Sequence, residues 1–476
     1  MSSELPRRRA LTLDSAAGRW VLAATVLGSG MAFLDSTVVT VALPAIGRQL
    51  GGGLPLLQWV VDAYLLTLGA LVLTGGALAD LFGRDRVFVI GAAAFGVTSA
   101  ACGAAPSGIV LIVARLAQGI AASLLVPTSL AVVVTSFVTE ERGRAIGIWS
   151  GMSGLSTVVG PLLGGLLVDH ANWRWVFLIN LPLALATVLI TLRHLPTHEV
   201  SARSAGQRVD TAGTATSVAG LGLLVYGLIQ GPQAGTNRVV ALGAIVAGVA
   251  LLVAFGIIEA REEHPMLPLA LFAIRDFTVA NLTTLVVYAA LSAALLLVVL
   301  ELQEVAGYSA LASGAALFPI TLLLLAISPR MGGAVGRVGP RRLMTAGPAL
   351  AAIGLLLFLR VSGSAPYLTA VLPAALVFGL GLSITVAPLT TTVLGSVPSI
   401  RAGVASGMNN AVARIAGLLA VAVIPLAAGL ASGGSGGAAF TAGFHRAMVI
   451  SAALCVIGAL VSLVGLRPRQ GAAARA

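Results

Sequence analysis

The chain has 476 residues, 58% hydrophobic and only 9% charged, with a mean hydropathy of +1.01. Soluble domains carry roughly a quarter charged residues, so this composition excludes a soluble domain and describes an integral membrane protein. The net charge of +11 rests on 28 arginines and no lysine, set in short clusters between apolar runs; no basic domain exists to grip a nucleic acid.

Apolar runs of about 20 residues are long enough to cross the hydrocarbon core. They fall at 20–43, 57–80, 86–105, 108–137, 143–168 and 174–193, then at 211–230 and 239–259 after a polar linker. Six more follow at 277–301, 309–328, 341–360, 367–394, 402–429 and 446–466. The arginines Arg7 to Arg9 ahead of the first run resemble the start of a signal peptide, but with so many spans behind it we read that run as a retained anchor. Fourteen spans put both termini on one side. Twenty-one arginines lie on that side, five (Arg48, Arg174, Arg238, Arg360 and Arg446) on the other, and Arg115 and Arg414 within spans. The positive-inside rule then predicts cytoplasmic termini.

The polar linker 194–210 marks a domain boundary, and the Gly/Ser/Ala-rich stretch 432–443 reads as a flexible loop on the far side. His194 and His198 flank Pro196 in that linker, which argues against a metal pair, and Cys102 and Cys455 belong to no CxxC or zinc spacing. Neither a metal nor a cofactor is expected.

The fifth run, 143–168, carries seven glycines and Pro161. Gly143, Gly147 and Gly151 repeat every four residues, as do Gly160 and Gly164. On a membrane helix such spacing makes a groove for a second backbone, and Pro161 loosens the helix. Spacing alone shows close packing. A repeat is also visible: GALADLFGRDR at 76–86 aligns with GGAVGRVGPRR at 332–342, pairing Gly76 with Gly332 and Gly83 with Gly339. Repeated halves around a central site are a common transporter construction.

Charges inside spans cost about 2.5–3.5 kcal/mol each and mark function by default. Asp35 in the first span is a candidate to exchange a proton with a cavity, or to form a structural ion pair with Arg115. Arg115 in the fourth span is a candidate to tune that acid, or to clamp backbone carbonyls. Arg414 in the thirteenth is a candidate substrate contact or a helix-to-helix bridge. Asp62 sits near the N-terminal end of the second span, where the helix dipole favours an anion; Glu301 and Glu304 end the ninth, where interfacial water accounts for them. Asp80 lies at a helix C-terminus, the unfavourable end, and needs Arg84, Arg86 or another helix's N-terminus as a partner. A bond that opens and closes there would form a cytoplasmic latch.

These motifs together resemble the major facilitator superfamily, specifically its fourteen-span drug/proton antiporters. LDSTVVTVALPAI at 34–46 resembles the group's first-span signature, with Asp35 in the acidic position. Gly76, Asp80, Gly83, Arg84 and Arg86 match the superfamily's loop motif, which departs from its usual form at Leu81 and Asp85. Arg115, Gln118 and Gly119 resemble the fourth-span motif linked to proton coupling. Gly154, Gly160, Pro161, Gly164 and Gly165 resemble the fifth-span antiporter motif, with Ser156 where a small residue is usual. Gln303 with the Gly-Tyr-Ser after it, and 403–414 in the thirteenth span, also resemble this group, although Ile415 replaces the usual Gln.

The resemblance implies an all-α major facilitator fold. A six-helix bundle at 1–195 and another at 266–476 would flank a segment, 196–265, carrying two additional spans. It implies a monomer in a bacterial plasma membrane that exports amphipathic drugs or antibiotics by alternating access, driven by protons. The same machinery serves export of an endogenous metabolite, and a symporter of this fold is the nearest rival. Phe33, Asp62, Tyr64, Gln118, Tyr288, Gln303, Asn410 and Arg414 are the candidate cavity residues, with Asp35 and Asp62 favouring cationic ligands. The chain has no Walker A sequence, and no clustered nucleophile, metal set or paired carboxylates that an enzyme would need.

Overall fold

The computed structural model describes residues 11–195, 210–262, 265, 267–398, 401–430 and 437–467. Residues 196–209, His198 among them, and 432–436 of the stretch expected to be a loop lie outside the described residues, while 437–443 are not loop but the first turns of the last helix. Among those described, fourteen helices are long and apolar enough to cross a membrane. They are α1 (Ala16–Leu50), α2 (Gly53–Phe82), α3 (Arg84–Ala104), α4 (Gly108–Ser136), α5 (Thr139–His170), α6 (Trp175–His194) and α7 (Thr211–Gln230). The rest are α8 (Arg238–Arg261), α9 (Arg275–Val305), α10 (Ala310–Val338), α11 (Pro340–Arg360), α12 (Tyr367–Gly395), α13 (Ala402–Ala427) and α14 (Gly437–Gly465). Each expected apolar run is one helix.

Helices are what hydrocarbon permits, because every backbone group is then satisfied within its own segment. Polar side chains start several of them: Ser15, Ser107, Asp210, Asn237 and Ser309 each accept a hydrogen bond from a first-turn amide. The two copies of the repeated motif turn alike. Gly83 ends α2 with φ of 97°, and Gly339 ends α10 with φ of 89°. Both reverse the chain in the left-handed region that a side chain resists, which explains why the aligned glycines recur.

In the first half, α1 packs on α5 and α6, and α4 on α2 and α3; in the second, α9 packs on α13 and α14, and α12 on α10 and α11. The halves meet along two seams, α5 with α10 and α2 with α13. The pair α7–α8 packs together and leans through α7 on α2 and α13. Leu221, Val225 and Ile229 of α7 share an apolar cluster there with Leu66, Ala70, Leu418 and Ala422. Large apolar side chains such as Val97, Ile109, Val239 and Val464 are exposed on the outside, a surface suited to lipid rather than water.

Among the described residues, the hydrogen bonds that join the two halves lie toward the face away from the termini. There, Asp169 at the end of α5 accepts hydrogen bonds from the amides of Ala310 (3.0 Å) and Leu311 (2.8 Å) at the start of α10. A carboxylate at a helix N-terminus satisfies orphan amides and matches the dipole. Gln303 donates to the Val41 carbonyl at 3.0 Å, Arg48 pairs with Glu304 at 2.9 Å, and Gln58 donates to the Val421 carbonyl at 2.6 Å. Glu301 departs from expectation. It is fully buried rather than at a wet interface, and accepts from the Thr441 hydroxyl at 2.6 Å.

The glycines of α5 divide at its middle. A Cβ on Gly160 would strike Thr37, one on Gly164 would strike Val38 of α1, and one on Gly165 would strike the backbone of Leu311; Gly314 of α10 lies equally close to the Pro161 carbonyl. Gly143, Gly147, Gly151 and Gly154 have open space before them, as do Gly333 and Gly336 of α10. The groove anticipated along the whole helix is filled only in its far half.

Candidate functional site

A buried polar cluster holds the first half together. Arg115 of α4 donates from Nη1 to Asp35 Oδ2 of α1 at 2.5 Å and to Gln118 Oε1 at 2.7 Å. Its Nε donates to the Val60 carbonyl of α2 at 2.9 Å, and its guanidinium lies 4.3 Å from the centre of the Tyr64 ring. The other carboxylate oxygen, Asp35 Oδ1, accepts from Gln118 Nε2 at 2.9 Å and from Asn180 Nδ2 of α6 at 3.2 Å. Both amides also donate to Ser99 Oγ of α3, at 2.7 and 3.0 Å. Five helices converge on one ion pair, and Asp35 and Arg115 are each only 1% exposed. A charge this deep survives only when paired and hydrogen-bonded, and here both conditions hold.

Sequence reasoning missed Asn180, Ser99 and Cys102. Cys102 Sγ lies 3.5 Å from Gln118 Oε1 as a weak donor. The available signals were the lone amide in the sixth apolar run and the three-residue spacing of Arg115 and Gln118, which sets both on one helix face.

Beside this cluster a cavity of about 820 Å³ opens between the halves on the termini side. Phe33 and Ser36 of α1, Tyr288 of α9, and Asn410 and Arg414 of α13 are on its wall, along with the open-faced Gly147, Gly151 and Gly154 of α5. The structure places the other candidates elsewhere. Gln118 is bound into the ion-pair cluster, and Tyr64 is 1% exposed, with its hydroxyl donating to the Ala32 carbonyl at 3.2 Å. Gln303 belongs to the far-side seal. Asp62 is fully buried off the cavity wall, and neither carboxylate oxygen has a hydrogen-bond partner among the described residues. Periodicity could not separate these positions, because a span that is apolar all round does not reveal which face meets the cavity.

At the termini face, Asp80 accepts from Arg84 Nε and Nη2 at 3.0 and 2.9 Å, within the first half alone. A second cleft of about 620 Å³ lies there among Arg337, Arg341 and Arg342. Arg341 Nε donates to the Leu463 carbonyl at 2.6 Å, so this cleft is a joint between α11 and α14. Among the described residues no group of three His, Cys, Asp or Glu could hold a metal ion.

The profile of the Major Facilitator Superfamily matches residues 25–421. The multidrug resistance protein Stp of Mycobacterium tuberculosis is 38% identical over 407 residues, spanning 85% of this chain and 74% of that protein. The puromycin resistance protein of Streptomyces alboniger is 35% identical over 413 residues, spanning 85% and 80%. Among solved structures, a D-xylose–proton symporter superposes with a TM-score of 0.66 at 14% identity, covering 94% of this chain and 98% of its own; that likeness speaks to the fold. Family profile, relatives and helical architecture agree: the chain belongs to the major facilitator superfamily.

Proposed function

We propose that this protein is a proton-coupled exporter of amphipathic small molecules in a bacterial plasma membrane, with both termini in the cytoplasm. The observation that carries the reading is the placement of Asp35. It sits in the sealed ion-pair cluster, while Phe33 and Ser36 of the same helical turn form part of the cavity wall. Protonating Asp35 would remove the charge that holds Arg115, Gln118 and Asn180 together. It would loosen α1 from α4 and α6, and so shift the wall that contacts cargo. Substrate and proton then act on one rigid element, which is the physical requirement for coupling two sites.

Export is favoured over uptake by the relatives, whose names describe multidrug and puromycin resistance. The arginine asymmetry supports cytoplasmic termini, so the cavity would open to the cytoplasm, where exported cargo loads. Asp80 with Arg84 would be the latch, free in this state to engage the second half when the cavity closes. We infer that the two six-helix halves act as domains, with α7 and α8 as an added flank.

Inverted vesicles test the reading. An acid-inside gradient should drive accumulation of at least one dye from a panel of anionic, neutral and cationic fluorescent amphiphiles, and an uncoupler should abolish it. Gradient-driven uptake in right-side-out vesicles would establish symport instead. Accumulation insensitive to the gradient would exclude proton coupling.

A further inference from the structure

We infer that the cavity selects acidic amphiphiles, with Arg414 as the residue that receives the anion; this rests on the exporter reading above. Of the described residues lining the cavity, Arg414 alone carries a formal charge. The two acids expected to draw cations do not reach the wall: Asp35 is matched by Arg115, and Asp62 is buried elsewhere.

Arg414 lies twelve residues into α13 from the termini face, about 18 Å along the axis. Topology explains arginines at the mouth; it does not explain one at this depth. Intramembrane arginines are normally paired with an acid or with carbonyls. Among the described residues the Arg414 guanidinium has no hydrogen-bond or ion-pair partner, and its recorded contact is the Phe33 ring, 5.6 Å away. Its stem is fixed against α2: a Cβ on Gly69 would lie 3.1 Å from Arg414 Cβ. The donors of the guanidinium are therefore positioned by the protein and left for a ligand. The planar fork matches a carboxylate or sulfonate in two-point contact.

The remainder of the wall suits the rest of such a molecule. Phe33 and Tyr288 offer aromatic faces, while Ser292, Asn410 and Thr321 offer neutral hydrogen bonds. The cargo this describes is an aromatic or lipophilic body carrying one acidic group.

Three probes on the purified full chain in neutral-lipid nanodiscs test this: 8-anilinonaphthalene-1-sulfonate (anionic), N-phenyl-1-naphthylamine (its neutral relative) and ethidium (cationic). Saturable binding should rank the sulfonate first. Arg414→Gln should weaken it roughly ten- to a hundredfold, the range of a charge-assisted hydrogen bond. It should change the neutral probe less than about threefold, on the scale of a small packing difference. Arg414→Lys, which keeps the charge and loses the fork, should restore part of the sulfonate affinity; a helix bridge would instead weaken the sulfonate and the neutral probe alike. Ethidium binding tightest, no saturable binding of any probe, or equal loss of the sulfonate and neutral probes in Arg414→Gln would each overturn the proposal. Binding needs no transport. Anion-selective binding with no gradient-driven accumulation in vesicles would therefore uphold this inference and reject the exporter reading.

Discussion

Replacing Asp35 by Asn probes the coupling directly. In the native cluster one carboxylate oxygen accepts from Arg115 at 2.5 Å and the other from Gln118 and Asn180 at 2.9 and 3.2 Å. An amide offers one acceptor and one donor group. Its NH₂ must face either the guanidinium or two other amide donors, and Arg115 is left charged at 1% exposure. Breaking a buried pair by removing one partner costs about 3–5 kcal/mol, of which the remaining contacts to the Val60 carbonyl and Gln118 recover a part. We expect a clear drop in thermal unfolding temperature in lipid nanodiscs. Proton-driven accumulation in inverted vesicles should fall at least about tenfold, equivalent to about 1.4 kcal/mol. Substrate exchange at equal pH should persist, because Asp35 is not on the cavity wall. Asp35→Glu, which keeps the charge, separates loss of coupling from loss of fold. Accumulation at the native level and still uncoupler-sensitive in Asp35→Asn would refute the role assigned to this carboxylate.

Two further outcomes follow from the packing. Gly160→Leu drives a side chain into Thr37 at the α1–α5 contact. Transport should be lost while the purified protein keeps its Asp35–Arg115 cluster, checked by vesicle uptake alongside the unfolding temperature; normal uptake would show that this approach is dispensable. Asp169→Asn removes the charge that caps α10, a loss of about 1 kcal/mol, and should increase labelling of a cysteine placed at Leu311 by a membrane-impermeant thiol reagent on the far face. Unchanged labelling would mean that the cap does not hold that seal.

The fourteen spans and the paired turn motifs were legible because hydrocarbon imposes a length and a backbone on each run, and because a left-handed turn demands glycine at Gly83 and Gly339. The acid and base of the buried cluster were legible as charges out of place. Their supporting amides were not: Asn180 sits among leucines with no charge to draw attention, and Gln118 was assigned to the cavity when it turns toward Asp35. Rotation about a helix axis decides such matters, and in a helix apolar on every side only tertiary contacts set it. Glu301 was misplaced for a related reason, since the helix continues past it in a π-turn that carries the carboxylate inward to Thr441.

The glycine face of α5 is packed at one end and open at the other. Ser153 bonds Ser29 of α1 at 2.8 Å and Glu141 accepts from the Leu13 amide at 2.6 Å, so α5 and α1 together have the mechanics of a lever. Its fulcrum lies at Gly160 to Gly165, where backbones touch on both sides. From there to Gly143 is seventeen residues, an arm of about 25 Å. Swinging that arm through about 20° would carry its free end about 9 Å, close to the 8–10 Å that separates packed helices. Because α1 moves with the arm, the Ser29–Ser153 and Leu13–Glu141 bonds are kept and no helix need unwind. The glycines on the open arm would then set the stop: the bulk placed at Gly147 or Gly151 would act as a spacer, fixing how far the stroke can run.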